Sequence, residues 1–347
     1  MTSPALRIDL HDFAANLAAV RARVAPAELM LVVKDDAYGH GIERIVRRAS
    51  AEGVRWFGSF DVREALRTRR AAESRARIFS WLTVGRGEIA EALSADIDLG
   101  VGDAGFLEDV AAVAREAGAV ARVHLKIDTG LHRNGIRPED WAAVTGTARS
   151  LEDEGVVRVV GVWSHIAEAS DREDDDARAL FDEAVAVAEA AGFALEVRHL
   201  SASAASFARP EFRYDLVRVG AFCYGVRSAG GPSASDLGIR PIAALSARAT
   251  HVDDHAVTLG VGSLHGLPSA LAARAHLSTT QGRLAVRHVD LAHTIVDAWP
   301  HAAVGDEVIV FGPDAASATD LAEAIDTVGE EILVRVSPLV PRVYRGE

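Results

Sequence analysis

Val32-Val33-Lys34-Asp35-Asp36-Ala37-Tyr38-Gly39-His40-Gly41 is the stretch on which the reading of this chain turns. Met30 to Val33 is an apolar run with the character of a buried strand, and it delivers a single lysine to the strand's C-terminal end. A polar, glycine-containing loop follows, and a helix begins near Ile42. A lysine held at the end of an apolar strand can lose its charge by desolvation, and a neutral amine is a nucleophile toward an aldehyde. The competing reading of Lys34 is a lysine that snorkels from a strand end.

Working outward, strand-like and helix-like segments alternate through the first two-thirds of the chain. The strands are expected at Leu29–Lys34, Trp56–Phe60, Arg77–Leu82, Asp96–Val101, Arg122–Asp128, Val157–His165, Leu195–Ser201 and Asp215–Gly220. They are apolar runs rather than alternating ones, as a parallel sheet covered on both faces requires. Helical patterns such as Leu107–Ala117, Trp141–Leu151 and Ala177–Ala191 lie between them. This is the α/β pattern of a (β/α)8 TIM-like barrel, and an open doubly wound sheet is the alternative. After Gly230-Gly231-Pro232-Ser233-Ala234-Ser235, which reads as a linker, short β-like runs take over: Ile242–Thr250, Ala256–Leu259, His276–Leu277, Leu284–His288, Glu307–Phe311 and Ile332–Val336, with one helical pattern at Ala318–Thr327. The expected domains are therefore a barrel over residues 1–235 and a smaller, mostly-β C-terminal domain over residues 236–347, with roughly the first ten residues open to pairing with the latter.

The 347 residues are 49% apolar and 25% charged, ordinary for a globular enzyme. A net charge of −13 argues against nucleic acid or an anionic membrane as partner, while leaving room for a local cationic pocket. The single cysteine, Cys223, allows no internal disulfide, and neither a signal core nor a membrane-spanning run stands out, so a cytoplasmic location is expected. No metal site is expected.

In a barrel, chemistry gathers at the C-terminal ends of strands. Here those ends carry Lys34; Lys126 through Gly135, including Arg133; Ser164-His165; His199 through Ala204, including Ser203; and Arg218 with Gly220. Each has a bland reading: Ser203 as a helix N-cap, Arg218 as an ion-paired side chain, His165 as a hydrogen-bonded core residue.

The combination resembles the alanine racemase family. The lysine segment is similar to V-V-K-A-N-A-Y-G-H-G, Lys126–Gly135 to K-x-D-T-G-M-x-R-x-G, and Leu216–Gly225 to M-V-R-x-G-I-x-x-Y-G. Leu6-Arg7-Ile8-Asp9-Leu10 with Asn16-Leu17, and Val340-Pro341-Arg342-Val343-Tyr344, look like its opening and closing motifs. The resemblance implies a pyridoxal 5'-phosphate enzyme with Lys34 as Schiff-base lysine and one-face base. It implies that Tyr38, Ser203 and the backbone of Gly220 hold the phosphate, that His165 and Tyr224 belong to the cofactor's surroundings, and that Arg218 faces the pyridine nitrogen. Arg133 would meet the substrate carboxylate or the cofactor's phenolic oxygen beside Lys126, whose carbamylation is left open. The partners so implied are a small amino acid and a second subunit, in a homodimer with shared active sites.

The same resemblance exposes a departure. The family's G-Y-x-D-G-x-P segment reads Gly262-Ser263-Leu264-His265-Gly266-Leu267-Pro268, so Ser263 stands for the tyrosine that protonates the opposite face and His265 for the aspartate. Val289-Asp290 keeps the aspartate of an M-D pair; Ala202, Asp36 and Pro338 replace an asparagine, an asparagine and a tyrosine. His265, whose unperturbed pKa near ~6.5 suits proton transfer, is the substitute candidate, with an exposed loop histidine as its plain reading. His288 and His293 are placed less firmly, and His165 and Asp290 complete the catalytic set. The expected function is an amino-acid racemase with a non-standard second base. The alternatives are another pyridoxal-phosphate enzyme on this scaffold (lyase, decarboxylase or one-face exchange) and an inactive cofactor-binding homologue.

Overall fold

The computed structural model describes residues 4–279 and 282–346. The chain forms two compact units, one of Val20–Lys34 and Ala49–Gly220, the other of Met1–Ala19, Asp35–Arg48 and Ala221–Glu347. In chain order, β1 (Ala5–Asp9) belongs to the second unit. The first unit holds β2 (Glu28–Val32), β3 (Trp56–Ser59), β4 (Arg77–Ser80), β5 (Asp98–Val101), β6 (Ala121–Lys126), β7 (Val157–Trp163), β8 (Val197–His199) and β9 (Leu216–Val219).

These eight strands pair in the order β8-β7-β6-β5-β4-β3-β2-β9, and every pairing is parallel. Backbone hydrogen bonds bridge the seam between β8 and β9, from Asp215 N to Arg198 O and from Arg218 N to Ser201 O, both 3.2 Å. Asp215 reinforces that seam by accepting from the Arg198 backbone at 2.9 Å and its guanidinium at 2.7 and 2.9 Å. The strands fall where the apolar runs are, within one or two residues at most ends.

The long helices start where their chemistry says they should. Asp103 accepts from Phe106 N to cap Ala104–Ala117, Ser170 accepts from Glu173 N to cap Asp171–Ala190, and Pro138 opens Pro138–Asp153, where its missing N–H costs nothing. Met30, Trp56, Phe79, Trp163, Val197 and Leu216 pack as one buried cluster. Polar side chains share the interior: Asp98, His124 and His199 have no exposed surface.

The second unit is built on β10 (Ala243–Val252), β11 (Ala256–Leu259), β12 (His276–Thr279), β13 (Gly282–Val289), β14 (Thr294–Asp297), β15 (Glu307–Phe311) and β16 (Arg342–Arg345). Its sheet runs β12-β13-β14-β11-β10-β1-β16, with β15 also on β10. β1 lies antiparallel to β10 and parallel to β16. One strand expectation fails: within Ile332–Val336 the chain is helical, over Gly329–Val334. A short apolar run does not distinguish a strand from a buried helical turn, and Glu330 and Glu331 favour a helix start. The linker-like Gly230–Ser235 is a tethered loop, with Gly230 N donating to Glu323 and Arg227 paired to Glu323 and Asp320. No helix among the described residues is long and apolar enough to cross a membrane.

Asn16, buried on the helix Leu10–Val24, ties this unit together. Its amide donates to Cys223 O at 3.2 Å and Arg240 O at 2.8 Å and accepts from Arg240 N at 2.9 Å. Asn16→Ala leaves those backbone groups unpaired in the interior and is expected to lower stability by about 2–4 kcal/mol, read as a reduced urea midpoint.

Candidate active site

In the barrel unit Lys34 lies two residues past the end of β2, after Val33, and is half-buried. Val33 N, the amide before it, still donates to Gly58 O at 2.9 Å, so the strand holds the lysine's backbone up to its last residue. Lys126 ends β6 and is 5% exposed. Its Nζ lies 4.6 Å from the centre of the Trp163 ring and 3.4 Å from Asn134 Oδ1. Burial, then the charges of Arg133 and Arg218, pull this ammonium down to about 8. Arg133 projects from the exposed loop after β6, which Asp128 organises by accepting from Gly130 N, His132 N and the His132 ring at 3.0–3.1 Å.

Arg218 sits on β9 and is 5% exposed. Its Nη1 donates to His199 O at 3.0 Å and meets His199 Nδ1 at 3.1 Å; its Nη2 donates to Ser164 O and Leu200 O, both 2.8 Å, and meets His165 Nδ1 at 3.2 Å. Burial, followed by the charge of Arg133, draws Arg218 below the usual arginine range. Burial also pulls His165 down to about 3, helped by Arg218, Arg133, Lys126 and Lys34. A single imidazole thus feels four cations at once, and it is a neutral acceptor for Arg218 at physiological pH. Ser203 is the first residue of the helix Ser203–Ala208; Ala202 holds the cap position without a side-chain bond, so the N-cap reading of Ser203 fails. Gly220 follows β9 and is buried.

The second unit carries the remaining candidates. Asp35, Asp36, Ala37 and Tyr38 all have φ between 54° and 55°, one turn of left-handed helix built without glycine. Each such residue costs roughly 1–2 kcal/mol. The turn is held by Gly39 N to Asp35 O at 2.8 Å, Gly41 N to Asp36 O at 2.9 Å, and Ile42 N to Asp36 Oδ1 at 3.1 Å. Asp36 therefore earns its place as an acceptor for the next helix. The Tyr38 ring packs against Tyr224 at 4.9 Å, which also lies 5.0 Å from His40 and 5.8 Å from Phe13. Burial, with Glu330 and Asp35 nearby, pushes the Tyr38 phenol up, so it stays protonated.

Ser263 and His265 lie on a single 3-10 turn. Ser263 is exposed, with its N–H bound to Asp290 O at 2.9 Å, and His265 Nδ1 accepts from Gly262 N at 3.0 Å. That bond places any proton of neutral His265 on Nε2. Gly266 has φ +97°, and a Cβ there would collide with the Arg335 carbonyl, so glycine sets the loop's path. The Asp290 carboxylate accepts from Ala292 N at 2.8 Å and His293 N at 2.6 Å, which occupies it in closing its own turn.

Sequence reading missed His124, Asp98 and Trp163. His124 was findable: two residues before Lys126 on one strand, it shares that lysine's face.

A family model described as the alanine racemase N-terminal domain matches residues 8–228, and one for the alanine racemase C-terminal domain matches residues 246–344. The alanine racemase of Beutenbergia cavernae is 39% identical over 376 aligned residues, covering 100% of this chain and 99% of that protein. The structure of alanine racemase from Streptomyces coelicolor A3(2) superposes with a TM-score of 0.96 at 34% identity, covering 100% and 99% of the two chains. That of Bartonella henselae alanine racemase, solved with covalently bound pyridoxal phosphate, shares the fold with a TM-score of 0.88 at 20% identity, covering 99% of this chain and all of that one.

His165 and His40, the latter pulled to about 4 by burial, have folded pKa values below the unfolded one. The unfolded chain then binds more protons as pH falls below about 6.5, so stability declines from there toward pH 4, by up to about 1.4 kcal/mol per pH unit for each histidine. Histidine ring signals from these two residues should not move between pH 8 and 5 in NMR spectra, while urea midpoints fall.

Proposed function

Because the chain belongs to the alanine racemase family, we propose that it interconverts the D and L forms of a small amino acid, alanine foremost, with pyridoxal 5'-phosphate as its cofactor. The observation that carries this reading is the cation set of the barrel: Lys34, Lys126, Arg133 and Arg218 all bear on His165, in a chain of net charge −13. Positive charge so concentrated is costly unless an anion answers it. A cofactor phosphate and a substrate carboxylate would supply that anion, so the residues present fit the group.

Lys34 would hold the cofactor, Ser203 and the Gly220 backbone would receive its phosphate, and Arg218 would stand at the ring nitrogen. When bound, pyridoxal phosphate draws electrons from the substrate's α-carbon and lowers the cost of removing its proton. Arg133 and Lys126 would orient the substrate carboxylate. Lys34 Nζ, once displaced by substrate, would take or return the proton on one face. Arg218, permanently charged and donating only, keeps a ring nitrogen facing it from being protonated.

For the opposite face we propose His265 Nε2, the ring nitrogen left over when Gly262 N takes Nδ1. We further propose a homodimer in which this loop serves the partner subunit. Exposed Leu264 and Leu291, joined by a 2.8 Å backbone bond beside the loop, support an apolar contact there. Cytoplasmic placement is supported by Cys223, a buried thiol in a chain with no other cysteine. A second reading rests on Ser263: a short hydroxyl at the position of the family's phenol favours exchange from one face only, without net racemisation.

Borohydride treatment of the cofactor-supplied protein should fix a pyridoxyl group on the peptide containing Lys34. Lys34→Ala should abolish that label and lower activity by about a thousandfold or more. A label elsewhere refutes the assignment.

In deuterated water, the wild type should wash out the α-proton of both alanine enantiomers and yield racemic product on chiral analysis. His265→Gln should lose exchange from one enantiomer alone. Exchange confined to one enantiomer in the wild type supports the second reading, and unchanged exchange in the variant removes His265 from the mechanism.

A further inference from the structure

Asp98, His124, His199 and Arg218 stand on β5, β6, β8 and β9 and form one connected row inside the barrel. His124 Nε2 lies 3.3 Å from Asp98 Oδ2, His124 Nδ1 lies 2.9 Å from His199 Nε2, and Arg218 Nη1 lies 3.1 Å from His199 Nδ1. The first three residues have no exposed surface, so water does not complete a mismatched bond.

Only one placement of hydrogens satisfies every link. Asp98 is ionised, because Arg77 donates to its Oδ2 at 2.5 and 3.1 Å and Arg122 to its Oδ1 at 2.6 Å. An ionised carboxylate only accepts, so His124 carries its proton on Nε2. Burial keeps both imidazoles neutral; His124 is faced by Asp98, Arg77 and Glu196, and His199 by Arg218 and His124. His124 Nδ1 then accepts, His199 Nε2 donates, and His199 Nδ1 is left with a lone pair. A guanidinium, which only donates, requires that lone pair. With both Nη groups committed to protein acceptors, Nε is the Arg218 donor without one among the described residues.

We propose that Asp98, His124 and His199 are positioning residues: the Asp98 carboxylate sets the tautomer of both imidazoles and thereby fixes how the Arg218 guanidinium is presented. Two consequences follow. Reversing the row at Asp98 would turn a proton on His199 toward a group that only donates. The row's effect on turnover rests on the cofactor-site reading above, whereas the tautomers do not.

Long-range proton–nitrogen NMR of the 15N-labelled holoenzyme reads the tautomers directly. Both histidines should carry hydrogen on Nε2 and stay neutral from pH 8 to 6; a proton on Nδ1 of either, or a charged ring at pH 7, overturns the row even if the protein racemises nothing. Asp98→Asn, whose amide can donate to His124, should move the His124 proton to Nδ1 and lower kcat about tenfold or more with KM within about twofold. Tautomers that do not move, or that move with kcat unchanged, refute the positioning role. Should that variant fail to fold, His124→Phe leaves Asp98 paired to Arg77 and Arg122 and breaks the row at its centre. It should give a similar loss in kcat with KM within about twofold, while Arg218 alone keeps the His199 proton on Nε2; full kcat refutes the proposal.

Discussion

A guanidinium buried in the middle of a parallel barrel is the constraint on which the barrel unit depends. Arg218 brings five N–H donors into an interior that offers little water, and each unpaired one would cost more than a hydrogen bond returns. The fold answers with what a barrel has in surplus at its C-terminal rim. Carbonyls of His199, the last residue of β8, and of Ser164 and Leu200, just beyond β7 and β8, accept from it. Two imidazoles add acceptors for the same Nη groups. The charge itself is not neutralised by these contacts, and that leaves Lys126 with a lowered pKa and His165 neutral. The cation cluster carries a charge that an anionic ligand would balance, and any such ligand would raise the protein's stability by mass action.

The cost of function is visible elsewhere in the backbone. Four successive left-handed residues without glycine, Asp35 to Tyr38, would not persist in an isolated peptide. They persist because Gly39, Gly41 and Ile42 return hydrogen bonds to Asp35 and Asp36, and because Tyr38 packs its ring on Tyr224. Strain of this kind collects where a side chain must be aimed, and here it begins at the residue after Lys34. The Gly262–Pro268 loop solves a different problem, close approach of backbone to backbone, and uses Gly262 and Gly266 for it. Two local devices, one strained and one glycine-dependent, frame the residues assigned to opposite faces of the reaction.

The barrel's cation set is the part of the family pattern that this chain keeps, and the loop is the part it alters. On the motif resemblance, Ser263 and His265 would stand with a hydroxyl and an imidazole where the family has a phenol and a carboxylate. Lys34, Lys126 and Arg218 lie on strand ends or just beyond them, where a substitution would disturb the charge balance described above. Loop residues answer to fewer neighbours, so chemistry can change there without refolding the core.

Sequence patterning determined the fold class. Eight apolar runs separated by amphipathic segments require a parallel sheet covered on both faces, in a barrel or an open doubly wound sheet, and the bonds between β8 and β9 make it a barrel. The lysine at the end of the first run, and Arg218 in the last, were legible for the same reason: a charge inside an apolar run has nowhere to hide and must be serving something. Ile332–Val336 misled because four apolar residues around Arg335 are too short to carry a period, and His124 escaped because a histidine inside a strand advertises no partner. What only the tertiary structure decided is which polar residues meet. Asp98, His124, His199 and Arg218 are separated by up to a hundred residues and more of chain, and only closure of the barrel, which brings β9 back beside β2 and across from β6, puts donor opposite acceptor in one row. Composition and spacing record which groups are buried; direction of a hydrogen bond is a property of geometry alone.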